Sequence, residues 1–402
     1  MNSLKIKQVY IYLLITLMMC NANAFGQEKQ DKQPTIILYD QVLNNKKTYV
    51  DLIMNEGTAA YLPEGLSIRK TGDLVRLHRF YALAERKVRY YVKFSEDAKA
   101  LFQSDKGDFK VYIDVPNKRI GMQVNFVKER KIEFLDPEHE YLVEIIRQYN
   151  TSKAKIIDLY TGEELEIQAT NDSTGGYGVG TVNQGISVGR QYDYYCFGLS
   201  EGTELLVKQI TVLAADCNLT VLIYGDSITE PEGYYPENLY EQSWVQLIKK
   251  NIKGKVISSG RGGTTIHELL ERIKNELPYI KSKYVMVTIG TNGENTEKNL
   301  SELIEYILSQ GSIPILNNIP CNEHNSQIEV NAVIEKIRQK YGIKGCRFDL
   351  VTSLNHDGKK VDTTTMWHED WGTNGTYFHH PNVKGSRLMY LRTLVDIPEI
   401  YE

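Results

Sequence analysis

Apolar and polar residues alternate in short runs from about Thr35 to Ala215. Lys87-Val88-Arg89-Tyr90-Tyr91-Val92-Lys93-Phe94 places every second side chain on one face, and Phe109–Val115 and Tyr141–Ile146 do the same. Period two is the spacing of a strand buried on one side. Further strand-type runs follow at Lys155–Leu159, Glu164–Ala169, Tyr194–Leu199 and Leu205–Leu213, separated by the turn signals Pro116-Asn117, Thr161-Gly162 and Glu201-Gly202. The pattern predicts an all-β sandwich or jelly-roll domain over residues 34–215. Within it, Asn171–Gly189 is rich in Gly, Ser, Thr and Asn and predicts a long loop over one face.

Past Ala214-Ala215-Asp216 the pattern changes to strand–helix alternation. Strand Val221–Tyr224 precedes helix Ser243–Ile252, Lys255–Ser258 precedes Ile266–Lys274, and Tyr284–Ile289 precedes Leu300–Gln310. Ile313–Asn317 then precedes Gln327–Lys340, and Cys346–Leu350 precedes a last helix near Lys384–Leu394. Five such units predict an α/β three-layer sandwich over residues 219–402, a parallel sheet with helices on both faces. Reactive groups in such a fold gather at the carboxyl ends of the strands.

The length of 402 residues accommodates two domains, and 42% hydrophobic with 24% charged residues is a globular composition. A formal charge of −4 argues against a nucleic-acid or anionic-membrane partner. The 27 tyrosines suit half-buried β surface or sugar-binding faces. At the amino end, Lys5 and Lys7 precede the apolar run Val9–Met19, and Ala22-Asn23-Ala24 has small residues at both positions that a secretory cleavage site needs. Residues 1–24 therefore read as a signal peptide, cut near Ala24, with Gln27–Gln33 as a polar linker. Leu17-Met18-Met19 lacks the small residue wanted before a lipidated Cys20. No later stretch is long and apolar enough to be a transmembrane segment, so the expected product is exported. Four cysteines would remain. Of these, Cys321 after one predicted parallel strand and Cys346 at the start of another would lie at opposite sheet ends, too far apart to bridge. The cysteine spacing fits no metal site.

Four stretches near predicted strand ends carry chemistry. Gly225-Asp226-Ser227 offers a serine on a tight turn. Ser258-Ser259-Gly260-Arg261-Gly262-Gly263-Thr264-Thr265 offers backbone N–H groups before a helix start. Gly290-Thr291-Asn292-Gly293 offers an amide, and His379-His380-Pro381-Asn382 precedes the last helix. Together they contain a nucleophile, a base and oxyanion donors, the needs of acyl transfer. Each has a plainer reading. Gly-Asp-Ser and Gly-Thr-Asn-Gly are also ordinary turns. The glycine-rich stretch would suit a phosphate but lacks the lysine of a P-loop. The paired histidines near His368 and Glu369 fit no standard metal spacing.

On these residues, 220–402 resembles the SGNH, or GDSL-type, hydrolases. Gly225-Asp226-Ser227-Ile228-Thr229, Gly260–Thr265, Gly290-Thr291-Asn292 and His380-Pro381-Asn382 look like that family's four blocks. The resemblance implies Ser227 as nucleophile, His380 as base, and an oxyanion hole formed by Ser227, Gly263 and Asn292. It implies neither a metal nor an organic cofactor. One departure matters. The family carries an Asp three residues before its catalytic histidine, and here Tyr377 stands there; counted from His379 the position is Thr376. Glu369 and Asp370 are the nearest acids in sequence. Without one of them the site would be a Ser–His dyad, or degenerate. Asn292 is followed by Gly293 rather than the usual Asp.

The first half resembles the lectin-like β-sandwich modules that precede such domains in exported, carbohydrate-active proteins. The resemblance implies an acylated carbohydrate as substrate, with acetyl as the leaving acyl group. Arg261, Trp367 and Trp371 are candidate substrate-binding residues. The other expectations are a lipid esterase or lysophospholipase, and a carbohydrate-binding protein that has lost catalysis.

Overall fold

The computed structural model describes residues 36–45, 49–105, 109–123, 127–170, 194–236, 238–370 and 376–402. The signal-peptide and linker expectations, and the loop expected over Asn171–Gly189, lie outside these residues.

Alternation builds the first half. Every second residue of Glu85–Phe94 and of Thr151–Asp158 is buried, so each strand lays one apolar face inward. One antiparallel sheet runs in the order Glu164–Thr170, Thr151–Asp158, Tyr141–Gln148, Glu85–Phe94, Leu205–Ala214, Leu66–Ile68, Ala59–Tyr61, with Ile36–Val42 also paired to Leu205–Ala214. The second runs Val127–Lys131, Arg119–Gln123, Lys110–Asp114, Lys99–Ser104, Tyr194–Glu201, Leu74–Phe80, Leu52–Ile53. Their inner faces meet. The Tyr90 ring of the first sheet lies 4.8 Å from Phe102 and 5.6 Å from Phe197 of the second. The region is a β-sandwich. Val127–Lys131 escaped the sequence pattern because all five of its residues are exposed, at the edge of the sheet.

In the second half the parallel sheet has the order Val256–Gly260, Leu219–Gly225, Ser282–Thr288, Ile313–Leu316. Helices Trp244–Asn251, Ile266–Ile280, Glu297–Ser309, Gln327–Tyr341 and Val383–Asp396 alternate with the strands or follow them. Helix Ile266–Ile280 outruns its expected end at Lys274 because the buried stripe Leu269, Ile273, Leu277, Ile280 continues.

The expected fifth strand, Cys346–Leu350, does not form. Lys344 makes an isolated bridge to Ile315, and Asn318 N donates to Cys346 O at 2.9 Å. The chain then turns into a short helix, Phe348–Val351, where Arg347 pairs with Asp349 at 2.9 Å and its N–H donates to Asp396 at 2.8 Å. Cys346 consequently sits beside Asn317 and Asn318, at the same sheet end as Cys321 and not at the opposite one. Both remain free thiols, as do Cys196 and Cys217. The Cys321 thiol is turned to Asp349 O at 3.4 Å.

The two halves share their core. One continuous apolar cluster runs from Leu38 and Val88 in the sandwich to Leu222, Ile273 and Ile337 in the α/β part. Residues 36–402 accordingly form a single compact unit. Polar bonds cross the junction as well. Ala84 N donates to Ser258 O at 2.8 Å, Ala82 N donates to Glu276 Oε1 at 2.8 Å, and Asn275 Nδ2 donates to Phe80 O at 3.2 Å.

Candidate active site

The strand Leu219–Gly225 ends where its neighbours end: Gly225 lies opposite Gly260 on one side and Thr288 on the other. A side chain at Gly225 would meet Thr229 Oγ1 at 2.1 Å and Thr288 O at 2.4 Å, so glycine is required for the chain to turn here. Asp226 caps the turn Ser227–Thr229, accepting from Ile228 N at 3.0 Å, and Trp244 Nε1 donates to Ile228 O at 2.8 Å. Ser227 stands in that turn just past the strand end and is 7% exposed.

The second stretch is tied to the first. Arg261 N donates to Gly225 O at 3.2 Å, and Gly262 N donates to the Glu230 carboxylate. Gly263 has φ +77° and is exposed, a left-handed conformation that favours glycine and leaves its N–H without a Cβ over it. Asn292 Nδ2 donates to Thr264 O at 3.1 Å, which brings the third stretch onto the second.

Beneath them lies the buried Arg272. Its guanidinium donates to Gly225 O at 3.1 Å, Ser259 O at 2.8 Å and Thr264 Oγ1 at 3.3 Å, holding two strand ends and the loop together. Glu276, one turn on, accepts from Ser259 Oγ at 2.8 Å.

His380 is buried, at 4% exposure, and its ring stacks on Tyr234 at 4.3 Å, just beyond the serine turn. Its Nδ1 lies 2.6 Å from Glu369 Oε1. The two meet through a small hairpin in which Glu369 pairs with Tyr377 across the strands. The carboxylate absent from position 377 is thus supplied by the residue opposite it. His379 extends the arrangement, with Nε2 3.7 Å from Glu369 Oε2 and Nδ1 3.6 Å from Glu323 Oε1. Sequence reasoning missed Glu323, which lies 56 positions before His379 in a loop without a motif.

Burial pushes the His380 imidazole below the ordinary histidine range, against the pull of Glu323. Burial raises Asp226 to about 6 despite hydrogen bonds from Ile228 and Thr291. At Glu323 the upward push of burial is overcome by hydrogen bonds from His379 and Phe378, leaving it at about 2.

Glu369, His379 and His380 present ligand atoms within 4.8 Å of one another, a set that would suit a metal ion. A cation taken by His380 Nδ1 would displace the 2.6 Å bond to Glu369, so that contact describes a hydrogen-bonded His380–Glu369 pair, with His379 Nε2 3.7 Å from the other carboxylate oxygen. Of the other expected residues, Arg261 is 6% exposed and turned to Gly262 O. Trp367 is 8% exposed and packs edge-on to Tyr235 at 5.6 Å, in a cluster with Tyr234 and Tyr240, and it also lines a surface pocket with Leu239, Val383 and Leu388. The side chain of Asp370, and Trp371, lie outside the described residues.

A serine on a strand-end turn, a buried histidine–carboxylate pair and a glycine-bearing loop are the kinds of group that acyl transfer requires. Residues 223–388 match the model of the GDSL-like Lipase/Acylhydrolase family. Among solved structures, a variant of an acetyl xylan esterase from Geobacillus stearothermophilus is 17% identical, with 46% of this chain and 97% of that chain covered and a TM-score of 0.36. A G-D-S-L family lipolytic protein from Desulfitobacterium hafniense is 20% identical over 43% of this chain and 97% of its own, with a TM-score of 0.34. The exoplasmic/lumenal domain of VIP36, bound to Ca2+ and Man3GlcNAc, is 9% identical over 45% and 90%, with a TM-score of 0.33. No curated protein sequence matches. No helix among the described residues is long and apolar enough to cross a membrane.

Proposed function

We propose that this protein is an exported serine esterase that removes a small acyl group, acetyl before others, from a carbohydrate. The carrying observation is the 2.6 Å contact between His380 Nδ1 and Glu369 in a domain whose Ser227 stands on a glycine-hinged strand end. Ser227 Oγ attacks the ester carbonyl while His380 Nε2 takes its proton. Glu369 holds the ring in the tautomer that leaves Nε2 free to accept and stabilises the imidazolium that forms. The tetrahedral oxyanion is received by the N–H groups of Ser227 and Gly263 and by Asn292 Nδ2, which turns from Thr264 O or shares its donors. His380 then protonates the leaving sugar hydroxyl, and water repeats the cycle on the acyl-enzyme. The reading of a degenerate site rested on the missing aspartate. Glu369 supports the active reading because it brings a carboxylate to the same ring nitrogen. Export is supported by the character of residues 1–24.

The test compares the purified chain with Ser227→Ala. Acetate release from acetylated oligosaccharides is expected from the first and reduced on the order of 10⁴-fold or more in the second. Absence of turnover on every ester would sink the esterase reading. Preference for long acyl chains would move it to the lipid esterase class.

A further inference from the structure

A cavity of about 270 Å³ lies where the β-sandwich meets the second stretch of the site. One wall belongs to the sandwich, with the rings of Phe80 and Tyr194 and the carboxylate of Asp105. The other belongs to the α/β half, with Gly263 and, from the first turns of helix Ile266–Ile280, Glu268 and Glu271. We propose that this cavity is the sugar subsite of the esterase, that it takes one uncharged sugar ring, and that the β-sandwich supplies the face on which the ring stacks. The inference rests on the esterase reading for its place in the reaction.

Four observations carry it. The aromatic wall is built in advance. Tyr194 and Phe80 pair across neighbouring strands with ring centroids 5.5 Å apart, and His78 stacks on Tyr194 at 5.8 Å with an interplanar angle of 10°. Arg76 lies 4.7 Å over the Tyr194 ring and Arg272 5.4 Å over that of Phe80, which leaves the opposite faces for the C–H side of a pyranose, at little ordering cost. The wall is also fixed to the catalytic half, because Phe80 O accepts from Asn275 Nδ2 at 3.2 Å.

The polar groups select the class of ligand. Three carboxylates, Asp105, Glu268 and Glu271, outnumber the one cation of the lining, Arg261, whose guanidinium already donates to Gly262 O, so the lining suits the hydroxyl donors of a neutral sugar over a uronate, a phosphate or a sulfate. Finally, the cavity borders the glycine-bearing loop of the site. Gly263 is in its lining, and Arg261, at its base, donates its N–H to Gly225 O two residues before Ser227.

The experiment uses the full chain. Wild type, Tyr194→Ala, Phe80→Ala and the surface variant Glu268→Gln/Glu271→Gln are assayed on acetylated xylo-oligosaccharides and on 4-nitrophenyl acetate. The ratio of kcat/KM on the oligosaccharide to that on the aryl ester is expected to fall about tenfold for each aromatic variant, the loss of one stacking contact. The carboxylate pair is expected to lower it through KM. Because Tyr194→Ala also removes the contacts of Tyr194 with Phe80 and His78, the Gln pair repeats the test away from those rings, and Gln at position 268 keeps an acceptor for the Thr265 N–H of the capping box. Binding is read separately by calorimetry with deacetylated xylo-oligosaccharide and with oligogalacturonide on Ser227→Ala and on Ser227→Ala/Tyr194→Ala. The neutral oligomer should bind the first, bind the second at least fivefold more weakly, and be preferred over the anionic one. An unchanged kinetic ratio, unchanged binding, or equal binding of the anionic oligomer overturns the subsite. Should wild type hydrolyse nothing while Tyr194-dependent binding persists, the esterase reading fails and the sugar site stands.

Discussion

The imidazole of His380 needs a fixed tautomer if Nε2 is to take a proton from Ser227, and Glu369 at Nδ1 fixes it. Glu369→Gln keeps the shape and a hydrogen-bond acceptor but removes the charge. Its kcat/KM is expected to fall on the order of 10³–10⁴-fold. The acid limb of the pH profile should also move to lower pH, because the imidazolium loses the carboxylate at its Nδ1 while the burial, opposed by Glu323, remains. A limb that stays in place would show that Glu369 only packs. This residue was only half legible in the sequence. Glu369 was one of two nearest acids, but nothing in the spacing said that a hairpin would set it opposite Tyr377. Ser227, Gly263, Asn292 and His380 were easier to find because each sits in a short motif at a strand or helix boundary. Asp226 is a residue of a different kind. Its carboxyl is raised from 3.8 to about 6 by burial, so the fold favours its protonated form. That contribution is present below pH 3.8 and is lost as pH rises through about 6, a change of about 3 kcal/mol. Asp226→Asn should gain stability relative to wild type across this window and run parallel to it at higher pH. Urea unfolding midpoints at several pH values check this.

Helix Ile266–Ile280 does more for the site than its motif suggested. Its start is fixed by a capping box between Thr265 and Glu268, legible as Thr-x-x-Glu, and its buried face carries Arg272 and Glu276. Neither charge was identifiable as structural from the sequence, because a lone Arg or Glu on a helix reads as a solvated face. Here burial lowers the Arg272 pKa and raises that of Glu276, each partner's charge opposing the shift. Removing the Arg272 guanidinium leaves three buried acceptors without their donor and takes the opposing charge from Glu276, so Arg272→Met should destabilise the protein by about 3 kcal/mol or more. The carbonyls of Gly225 and Ser259 and the hydroxyl of Thr264 would lose their common donor, and kcat should fall in the fraction that remains folded. Thermal unfolding and active-site titration separate the two effects. The element misread from sequence, Cys346–Leu350, illustrates the opposite case. Its apolar and β-competent residues satisfied the strand pattern, and the Arg347–Asp349 pair turned the chain into a helix. Periodicity over five residues cannot settle that choice.

At the scale of the molecule, the change of pattern at Ala214-Ala215-Asp216 marks a change of architecture without marking a break between independent bodies. Strand and helix periodicities report which face of each element is buried; they carry no information on what lies against it. Glu276 binds Ala82 of the sandwich with one oxygen and Ser259 of the sheet with the other, and the apolar core passes through the same junction. A chain cut at residue 218 would therefore leave the outer face of helix Ile266–Ile280 bare and half of the Glu276 carboxylate without its donor. The expected outcome is that residues 219–402 made alone are aggregation-prone or melt well below the full chain, and that co-expression with residues 25–218 restores solubility. If the isolated second half instead keeps full stability and full turnover of acetylated oligosaccharides, the sandwich supports neither the fold nor the substrate. If it keeps stability and the turnover of 4-nitrophenyl acetate but loses the oligosaccharide, the shared core matters less than the shared cavity, and the sandwich is there for the sugar.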